Sequence, residues 1–466
     1  MPNQESLPGI THVHLVGIGG IGVSALAPLL LHRGFAVTGS DPARNAVTER
    51  LERQGIRIHH EHQAANIEGA SLLVVTSAVK EDNPEIQAAR ARGIPIWPRA
   101  KMLGCLLRDY RAVVIAGAHG KTTTTGMTVS VFLDAGKDPT AFVGGDLDRI
   151  GGNCRVGQGE WAVAEGDESD GSFVYLQPEI AVVNNIDADH LDFYPDLDAI
   201  IASFNRFLDG VRVGGWIVAS ADCAHCRRLA DRSGIQRLSY GFSESDIQGV
   251  DYRSEPEGAR CEVLIHGKRT GGLRLRISGR MHAHNALAAL AVSHLAGIPF
   301  DQAAESLSRF AGIHRRLERT GEAGGVTVID DYAHHPTEIQ ATIQALRDRH
   351  PRRLIGIFQP HLYSRTLKLL EEFGQAFTGL DLLILADIYP AREKPVPGVT
   401  GAVLLDPVRN SGTEAVFVPS LEEIPRVAAS YARAGDVIVT LGAGDVWKTG
   451  RRILDELRAR AEGGGP

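Results

Sequence analysis

Two glycine-rich segments, about one hundred residues apart, constrain the fold of this chain most strongly. Each lies between an apolar run of β-forming residues and a helical pattern: residues 17–22 follow His12–Val16, and residues 117–122 follow Arg111–Ala116. A tight turn of this kind points backbone N–H groups at a ligand from a helix N-terminus, and that arrangement favours phosphate. The sequence therefore predicts two separate phosphate-binding loops.

Strand-like and helix-like segments alternate along the rest of the chain, which predicts the α/β class with mostly parallel sheets. A length of 466 residues suits about three domains, which we place at residues 1–108, 109–312 and 313–466. The other predicted strands are 36–38, 71–77, 161–165, 180–184, 326–329, 354–359, 382–387 and 437–441. The predicted helices include 23–32, 100–107 and 284–295.

The charge balance limits the possible partners. A net charge of −7 provides no basic field for nucleic acid or anionic lipid, so any phosphate must be held locally. No apolar run approaches the ~18 residues of a membrane span, and the N-terminus lacks a signal-peptide pattern. We therefore expect a cytoplasmic protein without a nucleic-acid or membrane partner.

The first loop is close to the dinucleotide-binding fingerprint. Gly17 allows the tight turn, Gly19 lets a diphosphate approach the backbone, and Gly22 permits close packing of the helix on the strand. Asp41 follows the next predicted strand, where an acid commonly binds a ribose hydroxyl. These residues alone are compatible with an NAD enzyme, with a sugar-nucleotide diphosphate site, or with a turn that binds nothing.

The second loop carries half of a standard phosphate loop. Ile115 stands where that pattern has its first glycine, but Gly120, Lys121 and Thr122 are in place. Lys121 would supply a positive charge toward the β- and γ-phosphates, and the Thr122 hydroxyl would bind Mg²⁺. The alternative is a glycine turn with a capping threonine.

Polar clusters follow several predicted strands. Residues 165–170 and 185–192 are rich in acids and follow two central strands. Ligands of open α/β sheets bind at this edge, and Mg²⁺ prefers oxygen ligands, so the pattern predicts a magnesium site beside the second loop. Residues 330–338 and 358–366 follow strands of the last block and indicate a further shared cleft.

The five cysteines argue against a disulfide framework, because the count is odd and the chain is long. Cys223 and Cys226 form the only close pair, in a segment that we predict to be helical. A lone C-x-x-C is compatible with redox chemistry or with half a zinc site, but no second pair completes four zinc ligands. We interpret both residues as ordinary thiols.

The order and spacing of these motifs resemble the Mur ligase family over nearly the whole chain. The resemblance implies a Rossmann-like N-terminal domain that binds a UDP-sugar, a central ATP-binding domain of the P-loop type with a parallel sheet, and a Rossmann-like C-terminal domain. The last would close over ATP and receive an amino acid. The motifs are GIGGIG at 17–22, GAHGKTTTT at 117–125, EGDESD at 165–170, NIDADH at 185–190, HRR at 314–316, DDYAHHPTE at 330–338, FQPHLYSRT at 358–366 and DIYPARE at 387–393.

Within that family, the motifs are most similar to those of ligases that join L-alanine to UDP-N-acetylmuramate in peptidoglycan synthesis. The resemblance implies that ATP converts the lactyl carboxylate to an acyl phosphate, which the amine of L-alanine attacks, leaving ADP and phosphate. Mg²⁺ and Lys121 would offset the charge repulsion. We expect a monomer or a homodimer. The alternatives are a ligase for a recycled tripeptide, a folate polyglutamylating ligase, an NAD-dependent dehydrogenase and a non-enzymatic nucleotide sensor.

The resemblance also assigns roles to individual residues. The catalytic set is Lys121, His190, His334 and Arg365, and the metal ligands are Thr122, Glu165 and His190. The ATP-binding set is Gly117, Ala118, His119, Gly120, Lys121, Thr122, Thr123, Asn285, Arg316 and Asp331. The substrate-binding set is Gly17, Gly19, Gly20, Gly22, Asp41, Ser77, His119, Tyr332, His334 and Arg365.

Two positions depart from the family pattern. Ala333 stands where the family has glycine, and Leu362 stands where an arginine often follows Pro-His. The second departure leaves open how much of the grip on the amino-acid carboxylate rests on Arg365. Some Mur ligases bridge metals through a carbamylated lysine, but residues 192–212 contain no lysine, so we predict none here.

Overall fold

The computed structural model describes residues 7–76, 79–191, 193–255, 258–349, 351–391 and 393–462. Its strands form three separate sheets, and its contacts divide the chain into two compact units. The first unit comprises the chain up to residue 248, residues 264–270 and Asn285–Ser306, and includes the first sheet. The second comprises the other residues and includes the third sheet. The predicted α/β class with three sheet-bearing regions is confirmed, and the predicted domain boundaries remain predictions.

The first sheet is wholly parallel, with the strand order β3-β2-β1-β4-β5. Its strands are β1 His12–Val16, β2 Ala36–Ser40, β3 Arg57–His59, β4 Leu72–Val75 and β5 Ile96–Pro98. Its helices are α1 Ile21–Ser24, α2 Leu26–His32, α3 Ala46–Arg53, α4 Pro84–Ala91 and α5 Arg99–Leu107. Two short helices thus replace the single helix predicted over 23–32, and Ala25 between them keeps right-handed helical torsion angles. Since β1 lies between β2 and β4, the segments that follow these three strands meet at one edge.

The central sheet has ten strands in the order β15-β14-β13-β12-β11-β10-β6-β9-β7-β8. The strands are β6 Arg111–Ala116, β7 Thr140–Leu147, β8 Gly152–Arg155, β9 Trp161–Glu165, β10 Ile180–Val183, β11 Trp216–Ser220, β12 Gln236–Gly241, β13 Ile247–Glu255, β14 Gly258–Ile265 and β15 Lys268–Leu275. The helices are α6 Lys121–Asp134, α7 Leu197–Leu208, α8 Arg280–Leu295 and α9 Phe300–Arg309. The three strands β10, β6 and β9 run parallel side by side and are almost wholly buried, as their apolar sequences predict. The second loop and both central acidic clusters therefore leave the same edge of the sheet.

The predicted helix at Cys223 is wrong. The chain turns there, and only Cys226–Arg228 forms a single 3₁₀ turn. The carboxylate of Asp222 accepts hydrogen bonds from the backbone N–H groups of Phe242 and Ser243, at 2.8 and 2.7 Å. These bonds tie the segment after β11 to the segment after β12 and compete with a helical arrangement.

The third sheet has the order β16-β17-β21-β18-β19-β20, with only the β16–β17 pair antiparallel. The strands are β16 Glu318–Ala323, β17 Val326–Asp331, β18 Leu354–Phe358, β19 Leu382–Leu385, β20 Ala415–Phe417 and β21 Val437–Leu441. The helices are α10 Pro336–Arg347, α11 Tyr363–Lys368, α12 Leu370–Ala376, α13 Leu405–Asn410, α14 Ile424–Tyr431 and α15 Thr449–Glu462.

Both faces of the third sheet are covered. Neighbouring residues of one strand belong to different apolar clusters: Ile329 and Leu385 pack with α10 and α12, whereas Val328 and Ile384 pack with α14 and α15. This alternation is the period-two pattern of a sheet between two helical layers. Within the described residues, no helix has the length and apolarity needed to cross a bilayer.

Candidate active site

The second loop turns sharply into α6. Gly120 has a positive φ of 80°, and a Cβ added there would lie 2.5 Å from Oδ1 of Asn285 and 3.2 Å from Nδ2 of Asn184. A side chain at this position would therefore collide with both amides, so the loop needs glycine for its conformation and for its close contacts. Asn285, the residue expected near the adenine, thus lies directly against the phosphate loop.

Residues that follow β10 support the same loop. Asn185 accepts hydrogen bonds from the backbone N–H of His119 through Oδ1, at 2.8 Å, and from that of Ala118 through its carbonyl oxygen, at 3.2 Å. The His119 ring lies 3.1 Å from Oδ2 of Asp187. A Cβ at Gly117 would come within 3.0 Å of the Asn185 backbone nitrogen. The NIDADH motif therefore shapes the loop as well as supplying acids beside it.

Lys121 is held by the acidic cluster after β9. Its Nζ donates to both carboxylate oxygens of Glu168, at 2.8 and 2.9 Å, and to the Gly117 carbonyl at 2.6 Å. Burial lowers the pKa of Lys121, but the charges of Glu168 and Asp167 outweigh it, so that pKa lies above the ordinary lysine value. The ammonium group is therefore charged and positioned over the loop before any nucleotide arrives.

His190 meets the same carboxylate as Lys121. Its Nε2 lies 3.5 Å from Oε1 of Glu168 and 3.7 Å from Oδ2 of Asp189. Burial lowers the pKa of His190, but the bond to Glu168 and the charge of Asp189 raise it above its ordinary value. The backbone of His190 is left-handed, with φ of 55°, a costly conformation for a residue with a side chain. The structure thus groups His190 with Lys121 around Glu168.

Thr122 and Glu165 supply the oxygen atoms suited to a magnesium ion. Thr122 is in the first turn of α6, and its hydroxyl donates to Oε2 of Glu165 over 3.1 Å. A hydroxyl and a carboxylate at this spacing fit a hard cation bridging phosphates. The raised pKa of His190 opposes metal binding by its ring, because a metal needs the neutral imidazole.

The first loop is built from backbone and one carboxylate. Gly17 has a positive φ of 76°, and its N–H donates to the Ser40 carbonyl at 2.8 Å, while the Gly20 N–H donates back to the Gly17 carbonyl at 3.0 Å. Oδ2 of Asp41 accepts from the Gly19 N–H at 2.9 Å. Asp41 therefore braces the loop itself, and Ser77, expected at the same edge, lies outside the described residues.

Arg99 links the two loops, and the sequence analysis did not identify it. A Cβ added at Gly22 would lie 3.0 Å from Cδ of Arg99, so the arginine packs directly on the first loop. Burial raises the pKa of Asp167, but the charges of Lys121 and Arg99 outweigh it and hold that pKa below its ordinary value. Arg99 thus contacts one loop and interacts electrostatically with the acidic cluster of the other. Its sequence signal is weak, since it is one arginine at the start of α5.

The third sheet carries its own cluster after β17. Asp331 accepts backbone N–H bonds from Leu317 and Ala333, at 2.7 and 2.8 Å, and burial raises its pKa to about 6 although Arg316 opposes this. Arg316 lies 3.8 Å from Glu338 and 5.1 Å from the centre of the Tyr332 ring. The predicted nucleotide residues Arg316 and Asp331 are therefore close together, with Asp331 bonded to the backbone. The role of Asp331 at the ribose remains a prediction.

A row of aromatic and basic side chains follows β17, β18 and β19. The His334 ring packs against those of Tyr332 and His361, with ring centres 5.3 and 5.8 Å apart. His361 in turn stacks on Tyr389 and lies 3.4 Å from a guanidinium nitrogen of Arg365. The structure thus brings together Tyr332, His334 and Arg365, as the resemblance implies. His361 and Tyr389 join them from motifs whose roles the sequence left unassigned.

Comparison with known proteins extends these motif matches to nearly the whole chain. The family models described as Mur ligase family, catalytic domain, as Mur ligase middle domain and as Mur ligase, glutamate ligase domain match residues 12–111, 115–293 and 315–444. A UDP-N-acetylmuramate–L-alanine ligase of Desulfatibacillum aliphaticivorans is 44% identical over 95% of this chain and 98% of its own length.

Solved structures show the same relationship. The UDP-N-acetylmuramate–alanine ligase of Thermotoga maritima superposes with a TM-score of 0.82 at 29% identity, covering 96% of this chain and 99% of that one. A murein peptide ligase of Psychrobacter arcticus gives a TM-score of 0.71 at 25% identity with the same coverage. The resemblance inferred from the motifs is confirmed, and the chain belongs to the Mur ligase family.

Proposed function

We propose that this chain joins L-alanine to the lactyl carboxylate of UDP-N-acetylmuramate, with conversion of ATP to ADP and phosphate. The supporting relative of 44% identity carries that activity in its name and matches the chain almost end to end. The structural observation that carries the proposal is the presence of two different phosphate loops in one compact unit, with Arg99 interacting with both sides. We further propose that the reaction takes place in the cytoplasm.

Each loop has a distinct part in the proposed reaction. Gly17, Gly19, Gly20 and Gly22 would hold the diphosphate of the sugar nucleotide through backbone N–H groups. Residues 117–123 would hold the triphosphate of ATP, with Asn285 beside the adenine. A dehydrogenase would need only the first loop, and that function would not explain the Lys121–Glu168 ion pair at the second loop.

The chemistry requires two anions to meet. The lactyl carboxylate oxygen attacks the γ-phosphorus, the bond to ADP breaks, and the amine of alanine then attacks the acyl carbon as phosphate leaves and the nitrogen loses a proton. Lys121 offsets negative charge during phosphoryl transfer. Thr122 and Glu165 would hold Mg²⁺, which would shield the phosphate oxygens when bound.

The C-terminal cluster would receive the amino acid. We assign the carboxylate of alanine to Arg365, with His334 and Tyr332 beside it, because Arg365 is a buried cation with a histidine neighbour. A buried guanidinium suits a carboxylate ligand, since it offers paired N–H donors in a fixed plane. Arg316 and Asp331 would contact ATP.

The deciding experiment is a phosphate-release assay with ATP, Mg²⁺ and UDP-N-acetylmuramate, run in parallel with L-alanine, glycine, L-serine, the recycled tripeptide or no acceptor. Release that depends on L-alanine, with formation of the amide product, supports the proposal. A preference for the tripeptide would assign the murein-recycling reaction instead, the activity named for the Psychrobacter arcticus neighbour. Binding of both nucleotides without acceptor-dependent release would contradict any ligase function.

A further inference from the structure

The pair Cys223 and Cys226, which the sequence led us to interpret as ordinary thiols, is not used by the proposed ligation, and its surroundings favour a different interpretation. Both lie in the turn after β11, beside the segment that follows β10. Cys226 is buried, with 1% of its surface exposed, whereas Cys223 is only partly buried. Cys223 therefore retains some solvent exposure, whereas Cys226 is shielded from solvent.

Several hydrogen-bond donors lie around the Cys223 sulfur, together with one acceptor, the Ile186 carbonyl oxygen. The sulfur receives a bond from the Cys226 thiol, and the backbone N–H groups of Ile186, His225 and Cys226 also point at it, with Ile186 at 3.5 Å. The Cys226 thiol, despite partial burial of Cys223, lowers the pKa of Cys223 to about 5 with help from these N–H groups. A lowered pKa favours the thiolate of Cys223, the form that reacts with electrophiles.

The other thiols have the opposite environment. The hydrogen bond with Cys223 and burial raise the pKa of Cys226, and the charge of Cys223 raises it further. Burial also raises the pKa of Cys154 and that of Cys261 to about 12. Among these four cysteines, Cys223 alone combines thiolate character with access, and Cys226 is its hydrogen-bonded neighbour.

We propose that Cys223 and Cys226 form a reversible disulfide site for a peroxide-class oxidant, and that closing the disulfide loosens the segment 185–190. In the first step the Cys223 thiolate attacks a peroxide oxygen. The S–O bond forms, the O–O bond breaks, and the leaving hydroxide takes a proton to become water. In the second step the Cys226 sulfur attacks the sulfenic sulfur, its proton leaves with the hydroxyl as a second water, and the S–S bond forms. The dithiol loses two electrons, and the peroxide is reduced to two waters.

Ile186 lies between the cysteine pair and residues that contact the second loop. Its N–H donates to the Cys223 sulfur, and its carbonyl oxygen lies 3.9 Å from the same atom. Its neighbours Asn185 and Asp187 hold His119 in the second loop. A disulfide sulfur is uncharged and a weak hydrogen-bond acceptor. Disulfide formation therefore removes the anionic acceptor of the Ile186 N–H. The inference concerns a modification site and does not depend on which amino acid the enzyme uses.

The first test identifies the bond by mass. The full-length reduced protein is treated with hydrogen peroxide, alkylated after unfolding and digested with trypsin, which places both cysteines in peptide 213–227. The expected result is loss of two hydrogen atoms from that peptide, reversed by dithiothreitol, at a rate at least about tenfold above alkylation-detected oxidation of Cys154 or Cys261. Cys226→Ser should instead leave a sulfenic acid at Cys223 that dimedone traps. Two fully alkylated thiols after treatment, or faster oxidation of Cys154, would overturn the site.

The second test measures the consequence without any assay of ligation. Hydrogen exchange of backbone amides in residues 185–190 should become faster in the oxidised wild-type protein than in the reduced one. Cys223→Ser treated with the same peroxide is the matched control and should show no change on treatment. A disulfide that forms without a change in exchange would overturn the link to the loop. Because neither readout needs turnover, failure of the proposed ligase activity would be distinguishable from failure of this inference.

Discussion

The loop after β1 and the loop after β6 share one strand–glycine–helix geometry but differ in the charged side chains around them. The first loop is braced by a single carboxylate, Asp41, which binds the Gly19 N–H. Around the second, Lys121 and His190 both contact Glu168, and Glu165 accepts a hydrogen bond from Thr122. This difference agrees with the proposed roles, in which the first loop would hold a phosphate through backbone donors and the second would take part in phosphoryl transfer.

The region of the first sheet has a buried charged residue, Glu85, near its glycine loop. Glu85 is wholly buried and accepts hydrogen bonds from Ser40 and Asn66, each at 2.7 Å, with His14 at 3.5 Å. Ser40 is also the residue whose carbonyl receives the N–H groups of Gly17 and Ile18. In the first region the buried charge of Glu85 thus stabilises the residues next to the first loop. In the second region the charges lie at the edge of the sheet where the second loop begins.

The largest expected effect separates the two loops by function. Lys121→Ala should lower phosphate release about 10³-fold, since removing one preorganised charge at a transferring group costs about that much. The affinity for UDP-N-acetylmuramate should stay within about twofold of wild type, because the first loop contains no lysine and is built from backbone donors. Steady-state kinetics and calorimetric titration measure both quantities. Lys268→Ala, at an exposed lysine, is the matched control. If Lys121→Ala also greatly lowers the affinity for UDP-N-acetylmuramate, the two loops do not bind the two nucleotides separately.

The next effect tests the buried support of the first region. Burial raises the pKa of Glu85, but hydrogen bonds from His14, Asn66 and Ser40 outweigh it and lower that pKa to about 2 from an ordinary value of 4.5. One pKa unit corresponds to about 1.4 kcal/mol, so the ionised carboxylate should contribute about 3 kcal/mol to folding. A lowered pKa gives stability that is present above pH 4.5 and lost as the pH falls toward 2.

Urea unfolding between pH 6 and pH 3 measures this contribution. Wild type should lose stability across that range more steeply than Glu85→Gln, and the gap between the two should narrow as the pH falls. Glu81→Gln, at an exposed carboxylate of the same domain, should follow wild type. Equal pH slopes for wild type and Glu85→Gln would refute the role of the buried charge.

The sequence predicted the strands that carry the loops because they are buried on both faces and read as continuous apolar runs. It did not predict β3, β5 or β20, each of three residues, or β7, whose two central glycines break the apolar pattern. Short strands gain their order from pairing with a neighbour, which local composition does not encode.

The sequence predicted which residues lie in the candidate site better than it predicted which of their side chains contact one another. Residues at the ends of parallel strands must meet at one edge, so chain order placed the acidic clusters beside the second loop. The individual roles of Lys121, Glu165 and His190 came from the resemblance to the Mur ligases. The path of each loop determines which side chains pair. Glu168 contacts Lys121 and His190, whereas Glu165 accepts a hydrogen bond from Thr122. Arg99 was missed for the same reason, since its neighbours lie far along the chain.

A third variant tests the steric requirement of the first loop. A Cβ added at Gly19 would lie 2.8 Å from Oδ2 of Asp41 and 3.0 Å from Cγ2 of Thr48. Gly19→Val should therefore weaken UDP-N-acetylmuramate binding about 10- to 100-fold, because overpacking of this kind costs about 1–3 kcal/mol. ATP affinity should stay within about twofold. Gly34→Asn is the control, since Gly34 has a positive φ and no atom within 4 Å of an added Cβ. An equal loss of ATP affinity would mean that the change disturbs the whole unit.

The smallest effect concerns Arg99, the side chain common to both regions. Arg99→Lys keeps the charge that interacts with Asp167 but loses the planar group that packs on Gly22. The KM for UDP-N-acetylmuramate should rise about 5- to 10-fold, because the lost packing on Gly22 would misalign about one backbone hydrogen bond of the first loop, with the KM for ATP nearly unchanged. Arg99→Met should raise both, because loss of the cation also deprives Asp167 of one of the opposing charges of Lys121, Arg99 and His190. Arg90→Lys, at an exposed arginine of α4, should change neither. If Arg99→Met lowers only the melting temperature and leaves both KM values unchanged, Arg99 is a packing residue and the two loops act without it.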